Sequence, residues 1–328
     1  MNTKSNRRSF LKKSAAATLS APLIMSLEEY ALAGQGSAAA PPPAAPSAKA
    51  TLPTGAIGQV KVSRVICGGN LINGYAHSRD LIYVSSLLKH YFTEEKIMET
   101  WSLCEQHGIN TMLLYAGEAQ AVSLYGKYRA QGGRIQFLAQ IAPDKGDLKT
   151  EVQRAKDAGA VGAFLVGNLG DAWTREDGVK LIGQLVSNIK AQGLIAGIAA
   201  HELRTVKAIE QAGVAPDFYM KTLHDTNYWS ARRPDQLKEV IDNYGVDNYW
   251  CLDPKETIAY MSGVARPWIA YKVLAAGAID PRAGFKHAFE NGADFAAVGM
   301  FDFQVAEDVA VANAVLKTTQ NRDRSWHG

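Results

Sequence analysis

LIAGIAAHELRTVKAIEQAGVAPDFYMKTLHD, residues 194–225, contains one complete repeat of a parallel α/β fold. Two short apolar runs, LIAGIAA and DFYMKTL, enclose a helical stretch that ends on Gly213. A glycine just past a helix supplies the left-handed backbone that closes it, and strands that are apolar on both parities are typical of a sheet buried on both faces. Each apolar run is followed by a histidine and a carboxylate, His201–Glu202 and His224–Asp225.

The same alternation recurs along the rest of the chain. The apolar runs are RVICGG, NTMLLYA, IQFLAQIAP, GAFLVG, LIAGIAA, DFYMKTL, WIAYKVLAAG and DFAAVGMF. Amphipathic stretches that end on glycine separate them, among them EEKIMETWSLCEQHG, KTEVQRAKDAG, GVKLIGQLVSNIKAQG and RAGFKHAFENG. Eight strand–helix units in this length predict a single-domain (β/α)₈ TIM barrel over residues 52–328.

The chain begins with a targeting pattern rather than with the barrel. NRRSFLKKSAAATLSAPLIM pairs Arg7 and Arg8 with a short, weakly apolar run and resembles a twin-arginine export signal. Residues 1–33 are therefore predicted to be a signal peptide, and the Ala/Pro-rich residues 34–51 a disordered linker. The resemblance implies recognition by the twin-arginine export machinery, a periplasmic location and, because that route carries folded proteins, a metal or redox cofactor.

The charge balance of the mature chain excludes several partner classes. The whole chain has 35 Lys and Arg against 32 Asp and Glu, and residues 1–33 contain five basic and two acidic residues, which leaves 30 against 30. A near-neutral domain gives no electrostatic case for nucleic acid or, after signal cleavage, for a membrane surface. The odd number of cysteines, three, rules out a complete disulfide framework.

The active site of a TIM barrel lies at the C-terminal ends of its strands. Polar side chains that follow the predicted strands include Tyr115, Glu118, Lys221, Lys272 and Asp302. The first strand is followed by a long connection, residues 70–92, which is typical of a lid or binding loop and carries His77, Arg79 and Asp80.

VSRVICGGN, HGINTMLLYAGE, GIAAHELRTVKAIEQAGVAPDFY and the stretch from PWIAYKVLAAG to VAVAN resemble the aldo-keto reductase superfamily over nearly the whole barrel. The resemblance implies a nicotinamide cofactor, NAD(P), bound near Tyr271 and Lys272, because Tyr271 falls where the family has a tyrosine stacked on nicotinamide. The final segment corresponds to the family's pocket for the adenosine phosphate.

The catalytic set of that family is largely missing. The second strand has no aspartate, Gln140 stands in place of the lysine, and the histidine position falls near Asn168. The serine–asparagine pair that grips the carboxamide corresponds to Ala200 and His201. Tyr115 is the remaining tyrosine candidate, and a lone tyrosine with a pKa near 10 is a poor proton donor. Ordinary aldo-keto reduction is therefore disfavoured.

The substituted positions suggest metal-assisted chemistry instead. Imidazoles on adjacent strand ends with a nearby acid can bind a divalent first-row metal, so His201, His224 and Asp302 are predicted ligands, with Glu118 as a substitute for the acid. Side chains alternate between the two faces of a strand, so Lys221 and His224 cannot both point inward from a regular strand. Burying a lysine against the helices is costly, so Lys221 is predicted to point into the barrel mouth and His224 to lie just past the strand.

Three side chains, Lys221, Tyr115 and Glu118, are the predicted catalytic acid–base groups. Amides and aromatic residues at the strand ends favour a small polar, carbohydrate-derived substrate. They are Asn70, Asn73, Tyr75, Gln140, Asn168, Asn227, Tyr228 and Trp229.

Several alternatives remain open from the sequence. One alternative is an NAD(P)-dependent oxidoreductase with a rebuilt catalytic set. Another is a non-catalytic periplasmic ligand binder. A further hypothesis is that Lys221 or Lys272 forms a Schiff base with a carbonyl substrate. The alternative for Lys272 is a structural ion pair with Glu118 or Asp302. His201–Glu202 is an ordinary helix start and His224–Asp225 an ordinary loop pair.

Overall fold

The computed structural model describes residues 52–75, 81, 83–231, 251–319 and 322–328. The predicted signal peptide (1–33) and linker (34–51) lie outside these residues, as do His77, Arg79 and Asp80. Within the described ranges, no helix has the length and apolar character that a bilayer crossing requires.

Eight parallel strands form a closed barrel, which confirms the predicted fold and every predicted strand. The barrel strands are β3 (Val65–Cys67), β4 (Thr111–Tyr115), β5 (Gln136–Ile141), β6 (Gly162–Leu165), β7 (Ile195–Ala200), β8 (Phe218–Thr222), β9 (Trp268–Tyr271) and β10 (Phe295–Val298). The barrel closes where β10 pairs with β3, with Ala297 opposite Ile66.

A β-hairpin that was not predicted from the sequence precedes the barrel. Its strands are β1 (Thr54–Ile57) and β2 (Val60–Ser63). Ile57 and Val62 pack with the side chains of the barrel interior, and the Lys61 carbonyl accepts a hydrogen bond of 2.7 Å from Gln136 at the start of β5. The hairpin therefore covers the N-terminal end of the barrel, opposite the strand ends where catalysis is expected.

Helices connect the barrel strands, and one more helix follows the last strand. They are α1 (Val84–Tyr91), α2 (Glu94–Gln106), α3 (Ala119–Ala130), α4 (Thr150–Asp157), α5 (Gly167–Arg175), α6 (Val179–Ala191), α7 (Leu203–Gln211), α8 (Pro254–Met261), α9 (Pro281–Glu290) and α10 (Val305–Thr318). The long connection after β3 thus contains a helix, α1. Two helices, α5 and α6, lie between β6 and β7. Gly213 after α7 has a φ of 68°, the left-handed conformation predicted for it.

Two sets of apolar side chains divide the core. One fills the barrel interior with residues such as Leu138, Phe164, Phe218 and Met220. The other lies between the strands and the surrounding helices and includes Tyr219 and Leu223. Because successive residues of a strand point to opposite faces, membership of these clusters fixes which strand-end residues face the barrel axis.

The C-terminal segment is held against the base of the barrel by a buried ionic network. Asp294, which has no exposed surface, accepts hydrogen bonds from Arg322 at 2.8 Å and Arg324 at 2.6 Å. It also accepts from the backbone N–H groups of Trp268 and His327. These donors leave the buried carboxylate fully compensated.

Candidate active site

A layer of polar side chains lies at the C-terminal end of the barrel interior. Residues two positions apart on a strand point to the same face. Leu138, Ala199 and Ile269 point into the barrel interior, so the polar residues two positions after them do as well. The layer comprises Tyr115, Gln140, His201, Thr222 and Tyr271. Of the predicted site residues, Tyr115, His201 and Tyr271 therefore do face the mouth.

His201 is paired with a buried carboxylate from α5. Its Nδ1 lies 2.9 Å from Oδ2 of Asp171, and the exposed fractions of the two residues are 8% and 2%. Asp171 also accepts from the backbone N–H of His201 at 2.9 Å, the N–H of Glu202 at 3.1 Å and the Thr205 hydroxyl at 2.9 Å. Because an ionised carboxylate only accepts, Nδ1 carries the donated hydrogen and Nε2 is the acceptor nitrogen of the neutral ring.

Two glycines allow α5 to come this close to β7. A Cβ on Gly170 would lie 2.4 Å from the carbonyl oxygen of Ala199. A Cβ on Gly167 would lie 2.5 Å from Oη of Tyr271 and 2.9 Å from Cε1 of His201. The sequence GNLGD thus brings Asp171 into hydrogen-bonding distance of His201 because its first and fourth residues lack side chains.

The charge state of His201 is set by its surroundings. Burial lowers the pKa of the imidazole, the hydrogen bond to Asp171 opposes that shift, and the charges of Lys272 and Lys221 lower it further. The ring is therefore neutral at pH 7, which is the form that accepts a proton.

Tyr271 and Lys272 flank this pair at the end of β9. The rings of Tyr271 and His201 have centroids 5.5 Å apart. Lys272 has a φ of 58°, and its Nζ lies 5.9 Å from the centroid of the Tyr271 ring. The two residues given a cofactor-binding role thus lie beside the imidazole.

The direction predicted for Lys221 is wrong. Its neighbours Tyr219 and Leu223 belong to the outer core, so the alternation of β8 places Lys221 on the helix side of the strand. The side chain is 1% exposed and its Nζ donates at 2.9 Å to both the carbonyl and the hydroxyl of Thr222. The length of a lysine lets its ammonium reach these oxygens at the strand end, and burial lowers its pKa.

The predicted metal ligands are not brought together. The Nδ1–H of His224 donates to the carbonyl of Asp225 at 2.8 Å, and Nε2 accepts from the N–H of Cys251 at 3.1 Å. Asp302 accepts from the hydroxyl of Tyr91 and from Lys96. Across the described ranges no three His, Cys, Asp or Glu residues form a group that could hold a metal ion. The described residues therefore do not fit the expected divalent site.

Tyr115 and Glu118 lie on the rim of the mouth. Glu118 accepts a hydrogen bond of 2.5 Å from Tyr75, whose pKa rises to about 12 through burial and that bond. Burial also raises the pKa of Tyr115, with the charges of Glu151 and Glu118 adding to the effect. A phenol with a raised pKa is a weaker acid, which disfavours Tyr115 as the proton donor.

Asp171 was not among the residues predicted from the sequence. It lies in a helix, whereas candidate site residues were selected at the C-terminal ends of strands. The available signal was the spacing of Gly167 and Gly170 immediately before an acid, which permits a close helix–strand contact.

Comparison with known proteins places the architecture among solved barrels. A Pseudomonas aeruginosa protein provisionally named an aldo-keto reductase matches with a TM-score of 0.57 and 16% identity, over 82% of this chain and 98% of its own. A second structure of that name and organism matches with a TM-score of 0.52 and 17% identity, over 80% and 94%. The chain has the aldo-keto-reductase-like TIM-barrel fold. No family model and no curated protein matches it.

Proposed function

We propose that the chain is an acid–base enzyme that moves a proton on a small polyhydroxylated carbonyl compound. The observation that carries this proposal is the His201–Asp171 pair: a neutral imidazole at the barrel mouth, oriented by a buried carboxylate that accepts four hydrogen bonds. A base of this kind is suited to removing a proton from carbon next to a carbonyl group.

The proton balance of such a step is simple. Nε2 of His201 takes the proton from the carbon, and the electron pair of the C–H bond moves to the carbonyl oxygen, giving an enediolate. The imidazolium then returns a proton from the same face. Return to the original carbon restores the substrate after exchange with solvent, whereas return to the neighbouring carbon, with the hydroxyl proton passing to the former carbonyl oxygen, isomerises the substrate. Asp171 holds the ring in one tautomer and stabilises the imidazolium while the proton is on it.

Solvent exchange tests the proposal whatever product the reaction gives. The protein is incubated in D₂O with aldoses, ketoses and uronic acids, and deuterium at carbon is measured by NMR and mass spectrometry. We expect incorporation into at least one compound, reduced about 10²–10⁴-fold by His201→Gln. The matched control His90→Gln changes an exposed histidine on α1 and should leave the rate unchanged. Absence of incorporation, or equal rates in His201→Gln and wild type, would overturn the proposal.

The other hypotheses remain as competing outcomes of direct measurements. Metal-assisted chemistry predicts near-stoichiometric metal by elemental mass spectrometry, lost in both His201→Ala and His224→Ala. A nicotinamide oxidoreductase predicts quenching of tryptophan fluorescence by NADPH. A non-catalytic binder predicts stabilisation by a ligand without deuterium exchange.

We also propose export by the twin-arginine route to the periplasm. The support is the resemblance of residues 1–33 to such a signal, and the linker 34–51 would separate the cleavage site from the barrel. N-terminal sequencing of protein recovered from the periplasm should begin at Gly34. Retention of full-length chain in the cytoplasm would contradict the assignment.

A further inference from the structure

Two neutral polar side chains lie side by side at the ends of β4 and β5. Tyr115 and Gln140 are Cα partners in the parallel pairing of these strands. Leu113 and Leu138 belong to the barrel interior, so the residues two positions after them face the same way. Both polar residues are half-buried, which leaves them in contact with solvent at the mouth.

The fold itself does not use these two polar groups. Within the part of the chain that the structure describes, neither the Gln140 amide nor the Tyr115 hydroxyl has a hydrogen-bond partner. The backbone of Gln140 is bonded, because its carbonyl accepts from the N–H of Ala116 at 3.2 Å. An amide offers two donor hydrogens and an acceptor oxygen, and a phenol offers one donor and an acceptor. Both groups can therefore bond to a ligand without breaking a contact of the protein.

A glycine allows the phenol to lie over the rim. A Cβ on Gly117 would lie 2.7 Å from Cζ and 2.8 Å from Oη of Tyr115. The ring thus occupies the space that a side chain at position 117 would take. Its hydroxyl lies over the connection from β4 to α3, on the mouth side of the barrel.

Two carboxylates make the surroundings of this pair negative. Glu118 is the third residue after Tyr115, and Glu151 accepts a hydrogen bond of 2.6 Å from a backbone N–H just past β5. Burial raises the pKa of Tyr115, the charges of Glu151 and Glu118 raise it further, and Arg154 opposes them, so the phenol stays a protonated donor at neutral pH. Carboxylates repel an anionic group at this place, whereas a hydroxyl can both donate to the pair and accept from it.

The pair lies two strands away from the candidate base. Gln140 is the Cα partner of Phe164 on β6, and Phe164 is the partner of Gly197 on β7, the strand that His201 follows. Neighbouring strands are about 4.8 Å apart, so the two sides of the mouth are separated by on the order of 10 Å. A sugar that contacts the pair at one end can therefore meet the imidazole at the other.

We propose that Gln140 and Tyr115 bind adjacent hydroxyl groups of a neutral sugar and hold its carbonyl end against His201. Both are binding and positioning residues, and neither transfers the proton. This inference rests on the proposed function for the role of His201. It names the substrate class as a neutral aldose or ketose rather than a sugar acid.

Replacements of matched shape test the pair. Gln140→Leu removes the amide and Tyr115→Phe removes the hydroxyl. The matched controls, Gln131→Leu and Tyr83→Phe, change exposed residues outside the mouth layer. D-Glucose, D-galactose and D-fructose are titrated by calorimetry beside D-glucuronate and D-galacturonate. Singly deoxygenated forms of the neutral sugar that binds most tightly are titrated next, and thermal unfolding checks that each variant is folded.

We expect at least one neutral sugar to bind about tenfold or more tightly than either uronic acid. Gln140→Leu and Tyr115→Phe should each weaken its binding about 3- to 10-fold, the effect of one neutral hydrogen bond, and the controls should stay within about twofold of wild type. One deoxy sugar should bind wild type more weakly by the same factor yet bind Gln140→Leu without further loss, because the two changes remove one hydrogen bond.

Four results would overturn the inference. They are no binding of any neutral sugar, equal or tighter binding of the uronic acids, an unchanged affinity in Gln140→Leu or Tyr115→Phe, and losses for every deoxy sugar that are as large in Gln140→Leu as in wild type. Neutral-sugar binding that Gln140→Leu weakens, without deuterium exchange in wild type, would sink the proposed function alone.

Discussion

Asp171 controls the chemistry available to His201 at the scale of single residues. The carboxylate fixes Nδ1 as the donor nitrogen and opposes the effect of burial on the imidazole pKa. Replacing it with a neutral amide of similar shape would remove the charge and permit the amide to donate to Nδ1 instead. The proton would then reside on Nε2, and the ring would present no base to the mouth.

We therefore expect Asp171→Asn to lower the rate of deuterium exchange about 10²–10⁴-fold. In wild type the rate should rise with pH and level off once His201 is neutral, with a midpoint below the ordinary histidine value of 6.5 because burial lowers the pKa. The measurement is exchange rate against pH in both proteins. A midpoint above that value would contradict the role given to His201.

His224 has a structural role that differs from that of His201. Both of its ring nitrogens bond to backbone groups, and burial lowers its pKa to about 4. Because the folded-state pKa of His224 is below its unfolded value, the imidazole takes up a proton in the unfolded state at pH values where it is still neutral in the folded state. The stability this group contributes is complete above pH 6.5 and is lost as pH falls toward 4.

We expect His224→Gln to reduce the pH dependence of the unfolding free energy. Between pH 5.5 and 4.5 the slope should fall by about 1.4 kcal/mol per pH unit, the effect of one proton. The variant should also be less stable at pH 7, because it loses the paired backbone contacts. Urea unfolding at several pH values measures both quantities, with His90→Gln as the exposed control. An unchanged slope would show that His224 is not buried as a neutral ring.

At the scale of elements, the contact between α5 and β7 assembles the site. Gly170 packs against the Ala199 carbonyl, where a Cβ would lie 2.4 Å from the oxygen, too close for any side chain. A methyl group there would push α5 outward and carry Asp171 away from His201.

We expect Gly170→Ala to destabilise the fold by about 1–3 kcal/mol through overpacking and to lower the exchange rate. The matched control is Gly126→Ala in α3, where a Cβ would meet no atom within 4 Å. That control should gain about 0.5–1 kcal/mol, because alanine is the better helix former. Chemical denaturation of the pair gives the two values. Equal stability changes in the two variants would contradict the packing argument.

The elements also show what could be predicted from the sequence. The eight strands and the glycine-terminated helices followed from periodicity, because a buried parallel strand must be apolar on both faces. The hairpin of residues 54–63 was not predicted, since two four-residue strands give too short a pattern. Lys221 was predicted to point into the barrel because burying an ammonium group on the helix side is costly. In the structure, hydrogen bonds from its Nζ to the carbonyl and hydroxyl of Thr222 offset that cost.

The candidate site was harder to predict than the fold. The position of His201 at the mouth followed from the strand pattern, but its partner Asp171 is 30 positions away in sequence and depends on a close helix approach. The structure does not bring the side chains of His201, His224 and Asp302 together, because strand-end proximity does not determine where side chains turn. His224 bonds to backbone and Asp302 to Tyr91 and Lys96.

At the scale of the whole molecule, one buried acid ties the C-terminal segment to the barrel. Asp294 bonds to Arg322, Arg324 and two backbone N–H groups, one at the start of β9 and one in the tail. Removing one partner of a buried ion pair leaves an uncompensated charge.

We expect Arg324→Met to lower the unfolding free energy by about 3–5 kcal/mol. Arg134→Met, which changes an arginine with 89% of its side chain exposed, is the control and should shift it by less than about 0.5 kcal/mol. Urea unfolding followed by circular dichroism measures both. A loss in Arg324→Met as small as that in the control would show that the tail does not contribute to global stability.

The tautomer and pKa of His201 test the central claim most directly. Two-dimensional ¹⁵N–¹H NMR of histidine-labelled protein, with His201→Gln to assign the signal, reports which ring nitrogen carries hydrogen and where the ring titrates. We predict a neutral Nδ1–H ring at pH 7 with a pKa below 6.5, and a switch of tautomer in Asp171→Asn. An Nε2–H ring in wild type, or a pKa at or above 6.5, would contradict the assignment of His201 as the catalytic base.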